Sequence, residues 1–229
     1  AGAVYIFEFD GTAWVQRQKL FANDNLAGDR FGSSLGIDNG WLAVGAPLHN
    51  TTGSSSGAVY LFGFDGVAWV QQQQLVAADT LAGDRFGASL ALEASRLVVG
   101  APLHNSTGSA SGAVYVFDAN AGQWQERIRL VGDDTATGDR LGWSVGISGY
   151  QIIAGAYGNV VVGPLSGAAY IFTDVTPGNA PTPTNTPSVT ATATATATAS
   201  ATPSATATAT ATAIFLRTLC VGPEQEHPG

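Results

Sequence analysis

One cysteine in 229 residues, Cys220, leaves this chain without a disulfide framework or a thiolate metal cluster, so its fold must rest on packing. Charge is scarce as well. Only 11% of the residues are Asp, Glu, Lys or Arg, and 9 Lys plus Arg face 17 Asp plus Glu, a net charge of −8. That is the wrong sign for neutralising phosphates, which excludes nucleic acid as a partner class. No apolar run approaches the roughly 18–20 residues that a membrane-spanning helix needs, and no charged-then-apolar leader opens the chain. Ala1 falls inside a repeat, so more chain, with any signal peptide, is expected upstream.

What is present is glycine, 29 of 229 residues, with Val, Tyr, Phe and Trp in short runs, the pattern of a turn-rich, all-β chain. The tetrad Gly2-Ala3-Val4-Tyr5 returns at Gly57, at Gly112 and, as Gly-Ala-Ala-Tyr, at Gly167, each time 55 residues on. Gly28-Asp29-Arg30-Phe31-Gly32 returns at Gly83 and, with Leu141 for Phe, at Gly138; Trp14, Trp69 and Trp124 keep the same spacing. A register held through loops as well as apolar runs means that each period is one unit stacked on the next. Four strand-like runs fall within a period, as at 31–37, 41–46, 57–64 and 69–76, and four strands make one propeller blade. The runs at 58–62 and 96–100 are almost continuously apolar and should be covered on both faces. The run at 14–20 is polar in its middle and suits an outermost strand. Asp38-Asn39-Gly40 and Asp10-Gly11 read as hairpin turns.

Phe31-Gly32 followed by Gly45-Ala46-Pro47, and Phe86-Gly87 followed by Gly100-Ala101-Pro102, resemble the FG-GAP repeat of integrin α propellers and bacterial surface proteins. The third copy departs, reading Leu141-Gly142 and Gly155-Ala156-Tyr157. The resemblance covers residues 1–175 and implies β-propeller blades of four antiparallel strands. The chain would hold two strands of one blade, two whole blades and three strands of a last blade, an incomplete propeller, since about four blades are the minimum for closure. Residues 176–213 carry no charge and are nearly all Thr, Ala, Pro and Ser; they cannot bury enough apolar area to offset chain entropy and read as a disordered stalk compatible with O-glycosylation. Residues 214–229 form a tail with no assigned role.

The resemblance also raises calcium, which many such repeats bind between the FG and GAP elements. The turns here, Asp38-Asn39-Gly40, Glu93-Ala94-Ser95 and Ser148-Gly149-Tyr150, supply one carboxylate or none against the six to eight oxygens Ca²⁺ takes. No metal and no cofactor is expected. Asp24, Asp79 and Asp134 share one repeat position, and the pairs Asp29-Arg30, Asp84-Arg85 and Asp139-Arg140 share another. They read either as an acidic binding rim or as structure, with carboxylates accepting turn N–H groups and Arg30, Arg85 and Arg140 tying neighbouring blades through bidentate contacts; recurrence in every copy favours structure. His49 and His104, each within Pro-Leu-His-Asn, read as solvent-presented loop histidines, with Gly158 in their place in the third copy. Asn50-Thr51-Thr52 and Asn105-Ser106-Thr107 match the N-glycosylation pattern, which marks exposed loops.

No nucleophile elbow, phosphate loop or isolated carboxylate pair is present, so no residue is a candidate for catalysis. The expected function is a secreted or cell-surface recognition or adhesion module. Strand parity puts the longer connections, 22–30 and 47–56, on one side of the blades, and the ligand-binding residues expected there are His49, Asn50, His104, Asn105, Asp24 and Asp79. The partner is a protein or glycan, and open blade edges make self-association a further expectation. The alternative is a non-catalytic propeller appended to a secreted hydrolase.

Overall fold

A computed structural model describes residues 1–160 and 166–174 together with the backbone of 216–221. The described residues contain strands and turns but no helix. A two-stranded sheet pairs β1 (Val4–Phe9) with β2 (Trp14–Leu20). The next sheet runs in chain order through β3 (Ser34–Asp38), β4 (Trp41–Ala46), β5 (Ala58–Phe64) and β6 (Trp69–Leu75). A third follows with β7 (Ser89–Glu93), β8 (Arg96–Ala101), β9 (Ala113–Asn120) and β10 (Gln123–Leu130). The last contains β11 (Leu141–Ser148), β12 (Gln151–Ala156), β13 (Ala168–Asp174) and β14 (Leu216–Val221). All pairings are antiparallel except β13 with β14. These are the expected blades, and they form an open arc.

The last blade differs from expectation in having a fourth strand. Residues 216–221 of the tail take the place that β6 and β10 hold in their blades, but run parallel to β13. The rest of the tail and the stalk at 176–213 lie outside the described residues.

Local chemistry explains the hairpins. Asn39 and Gly40 both have positive φ, 46° and 75°, the conformation a two-residue turn needs to match strand twist. At Asp10 and Asp65 the carboxylate accepts two backbone N–H groups, from Thr12 and Ala13 and from Val67 and Ala68, at 2.8–2.9 Å. Those bonds hold both carboxyls below their ordinary pKa. The middle strands β4, β5, β8 and β9 are buried on both faces for most of their length, whereas β2 and β6 are largely exposed.

Blades stack face to face. Ala43, Val59 and Leu61 of one blade pack with Phe86, Leu90, Leu97 and Tyr115 of the next, and Val98, Val114 and Val116 pack with Ile152, Ala154 and Tyr170 of the last. The motif glycines sit where blades approach closely. A Cβ on Gly45 would lie 2.1 Å from the Gly87 carbonyl oxygen, and one on Gly100 would lie 2.0 Å from that of Gly142, so only glycine admits the neighbouring backbone. Phe31 and Phe86 are buried at the same boundaries, edge-on to Tyr60 and Tyr115. Ala46, Ala101, Pro47 and Pro102 are buried with them.

The two ends of the arc show what stacking covers. Tyr60 and Tyr115 are buried against the preceding blade, but their equivalent Tyr5 is 48% exposed. Ala43 and Val98 are buried against the following blade, but their equivalent Ile153 is 44% exposed.

Candidate functional site: the long-loop face

The two longer connections of each repeat meet on one face. The Thr52 hydroxyl donates to the Thr80 carbonyl at 2.7 Å, and Thr107 repeats the bond to Thr135 at 2.6 Å. Backbone bonds run alongside: the N–H groups of Gly83, Arg85 and Phe86 donate to Ser54, Ser55 and Ser56 at 2.9–3.2 Å. Each β4–β5 type loop is thereby fastened to the link that enters the next blade.

Beneath this face lies a polar cluster built three times. In the first copy the Asp29 carboxylate accepts from Leu26 N–H at 2.7 Å and bonds His49 Nδ1 at 2.9 Å. His49 Nε2 lies 3.4 Å from Asp24, whose other oxygen accepts the Tyr60 hydroxyl at 2.7 Å. In the second, Asp84 bonds His104 Nδ1 at 2.8 Å and Asp79 accepts the Tyr115 hydroxyl at 2.7 Å, with Arg129 also donating to Asp79. In the third, Asn159 Nδ2 donates to Asp139 at 2.8 Å and the Tyr170 hydroxyl to Asp134 at 2.9 Å. Each cluster ties an inter-blade link to the loop and third strand of the blade it enters.

Burial opposes the charge of Asp29, yet the bonds from His49 and Leu26 more than offset it, and its pKa falls below the ordinary 3.8. Asp79 is likewise lowered: burial opposes its charge, and Tyr115, His104 and Arg129 outweigh the burial. Tyr60 and Tyr115 are pushed far above their ordinary value, by burial first and then by the carboxylate each bonds. Each phenol is thereby held in its protonated form.

Three expectations change. His49 and His104 are buried inside these clusters, not presented to solvent, because Nδ1 of each ring bonds a buried carboxylate while Nε2 faces a second one. The residue at their position in the third copy is Asn159, 55 residues after His104, and not Gly158; its amide reaches the same carboxylate. The arginines do not clamp neighbouring blades. Arg30 and Arg85 are exposed and form no ion pair among the described residues; the repeated feature is their backbone, with φ of 58°, 59° and 60° at Arg30, Arg85 and Arg140. That left-handed turn aims the Arg85 and Arg140 N–H groups at Ser55 and Ala110 of the preceding loop.

Asn50 and Asn105 are exposed, as expected, and each closes its own loop by accepting the N–H of Ser55 at 2.7 Å or Ala110 at 2.8 Å. Asp24 and Asp79 keep partly exposed edges. Leu26 and Leu81, one period apart on the links, are exposed apolar residues beside them. The sequence signal for the cluster was the joint recurrence of Tyr in Gly-Ala-Val-Tyr with Asp in Gly-Asp-Arg.

The opposite side carries the tight turns. There the Asp38 carboxylate accepts the N–H of Ala94, and Glu93 that of Gly149 at 2.8 Å, each linking one hairpin to the next. Among the described residues no group of three or more His, Cys, Asp or Glu is arranged to hold a metal ion. No helix there is long and apolar enough to cross a membrane.

The family described as FG-GAP repeat matches residues 14–62, 69–117 and 124–172. No curated protein gives a match to this chain. Each matched segment starts at the outer strand of one blade and ends on the third strand of the next, so it spans a blade boundary. Asp24, Asp29, His49 and Tyr60 all fall within the first, making the repeat in sequence the unit that locks two blades together.

Proposed function

Because this chain belongs to the FG-GAP repeat family, whose propeller-type domains are generally non-catalytic and mediate protein interactions, we propose that it is an extracellular recognition module. Its ligand, a protein or glycan, binds the long-loop face. The observation that carries this reading is the fastening of those loops: the bonds from Thr52, Thr107, Asn50 and Asn105 hold them rigid while their tips stay in solvent. Rigid, exposed loops lose little conformational entropy on binding, which is where recognition gains most. The contacting residues on this reading are Asn50, Asn105, the open edges of Asp24 and Asp79, and Leu26 and Leu81. His49 and His104 act from below, by holding the loops.

The test is a ligand screen over protein and glycan arrays, followed by two variants of the folded protein. Changing Leu26, Asn50, Leu81 and Asn105 together to Ala should abolish binding to the ligand found, while altering the turns at Gly11 and Gly66 should leave it intact. The reverse result would place recognition on the tight-turn side.

A further inference from the structure

The third repeat breaks the pattern at one corner of the long-loop face. Where the first two carry Ser33 and Ala88, it has Trp143; where they carry Pro47 and Pro102, it has Tyr157. The blade does not need these rings, since two copies close the same corner with small or cyclic side chains. Neither ring is buried: Trp143 is 49% exposed and Tyr157 38%. They are nonetheless fixed. Their centroids lie 4.5 Å apart at 68°, and the Arg140 guanidinium lies over the Tyr157 ring at 5.1 Å.

The backbone turns Trp143 outward. Leu141 opposes Ala156 and Ser144 opposes Gly155, so Gly142 and Trp143 have no partner across the ladder, and such irregularities re-aim side chains. Arg140 enters from the left-handed turn at the end of its link, and its Nε is buried without a hydrogen-bond partner.

We propose that Trp143 and Tyr157 form a subsite for the ring of a neutral sugar. The proposal rests on the reading of this face as the recognition surface and names the ligand class for one corner of it. A pyranose has an apolar C–H face that stacks on an indole and hydroxyls around its edge that need donors. Trp143, the Tyr157 hydroxyl and the Arg140 guanidinium combine both kinds of group within one corner. Two rings are too small an apolar area to anchor a folded protein by themselves. The net charge of −8 disfavours anionic sugars, and the one cation here is stacked on Tyr157.

The experiment titrates the full chain with cellohexaose, xylohexaose, mannohexaose and chitohexaose, and separately with oligogalacturonate, following tryptophan fluorescence and heat. Trp143→Ala and Tyr157→Pro each install the residue that the second repeat carries, so an unchanged melting curve checks that the blade is intact. The expected result is binding of at least one neutral hexasaccharide, weakened about tenfold or more by either variant and less by Trp143→Phe. Binding to no neutral hexasaccharide, binding to oligogalacturonate alone, or neutral binding unchanged by both variants would overturn the subsite. If unchanged binding is then lost on altering Leu26, Asn50, Leu81 and Asn105, the face reading survives without it; if it is lost only on altering the tight turns, both fall.

Discussion

The side-chain amide of Gln73 holds both backbone hydrogen-bonding groups of Trp124 across a blade boundary: Nε2 donates to the Trp124 carbonyl at 2.8 Å and Oε1 accepts its N–H at 2.9 Å. Gln18 does the same to Trp69, at 2.9 and 2.8 Å. An amide is the side chain that can imitate a neighbouring strand in this way, offering one donor and one acceptor in a plane. The outer strands, whose own faces are polar, are thus joined from blade to blade.

Gln73→Ala should therefore destabilise the protein by about 1–2 kcal/mol, the loss of two partly buried bonds, and Gln73→Glu by more, since a carboxylate would face the Trp124 carbonyl. Urea denaturation of the three proteins measures this. A Glu variant as stable as the parent would show that the pairing contributes nothing.

His49→Asn should be milder than His49→Ala. Asn159 performs the same task in the third repeat, reaching Asp139 at 2.8 Å, so an amide at position 49 can keep Asp29 bonded. Alanine leaves the buried Asp29 carboxylate short of a partner, at a cost of about 1–3 kcal/mol. Equal losses in the two variants, by thermal or chemical melting, would mean that ring volume rather than hydrogen bonding matters at this position.

Stability should fall at both ends of the pH scale for separate reasons. The carboxyls of Asp29 and Asp79 are lowered below 3.8, so the stability they supply is complete above that value and is lost as pH drops through their folded pKa values. The Tyr60 and Tyr115 phenols are raised above 10.0, so their contribution is complete below pH 10 and is lost as pH rises beyond it. Melting temperatures between pH 2 and 11 should trace a plateau with two falling limbs. Asp29→Asn should make the acid limb shallower and Tyr60→Phe the alkaline one; a profile that neither variant alters would refute the assignment.

The open arc should self-associate. Tyr5 and Phe7 are exposed at one end, and Ile153 at the other, in positions whose equivalents are buried within the stack. Such faces favour head-to-tail contact, which does not close. Sedimentation of the isolated chain should show mass rising with concentration, reduced by Tyr5→Asn with Phe7→Asn; a monodisperse monomer would contradict this.

The strands of the two whole blades and the motif positions were legible in the sequence because a 55-residue period repeats the same local chemistry: apolar runs, Asn-Gly and Asp-Gly turns, and glycines at fixed places. The polarity of 14–20 correctly placed it outermost, since exposure is written directly into side-chain type. The roles of His49, His104 and the arginines were not legible. A histidine in a loop reads as exposed until the fold brings Asp24, Asp29 and Tyr60 around it, residues separated by up to 36 positions. Arg30, Arg85 and Arg140 share a left-handed backbone, a conformation that the residue name does not disclose. The parallel strand β14 and the packing of Trp143 against Tyr157 likewise depend on contacts distant in the chain. Period and pattern are local properties, so the sequence by itself determined the unit; which polar groups meet at a blade boundary is set by how the units stack, and only the tertiary structure decided it.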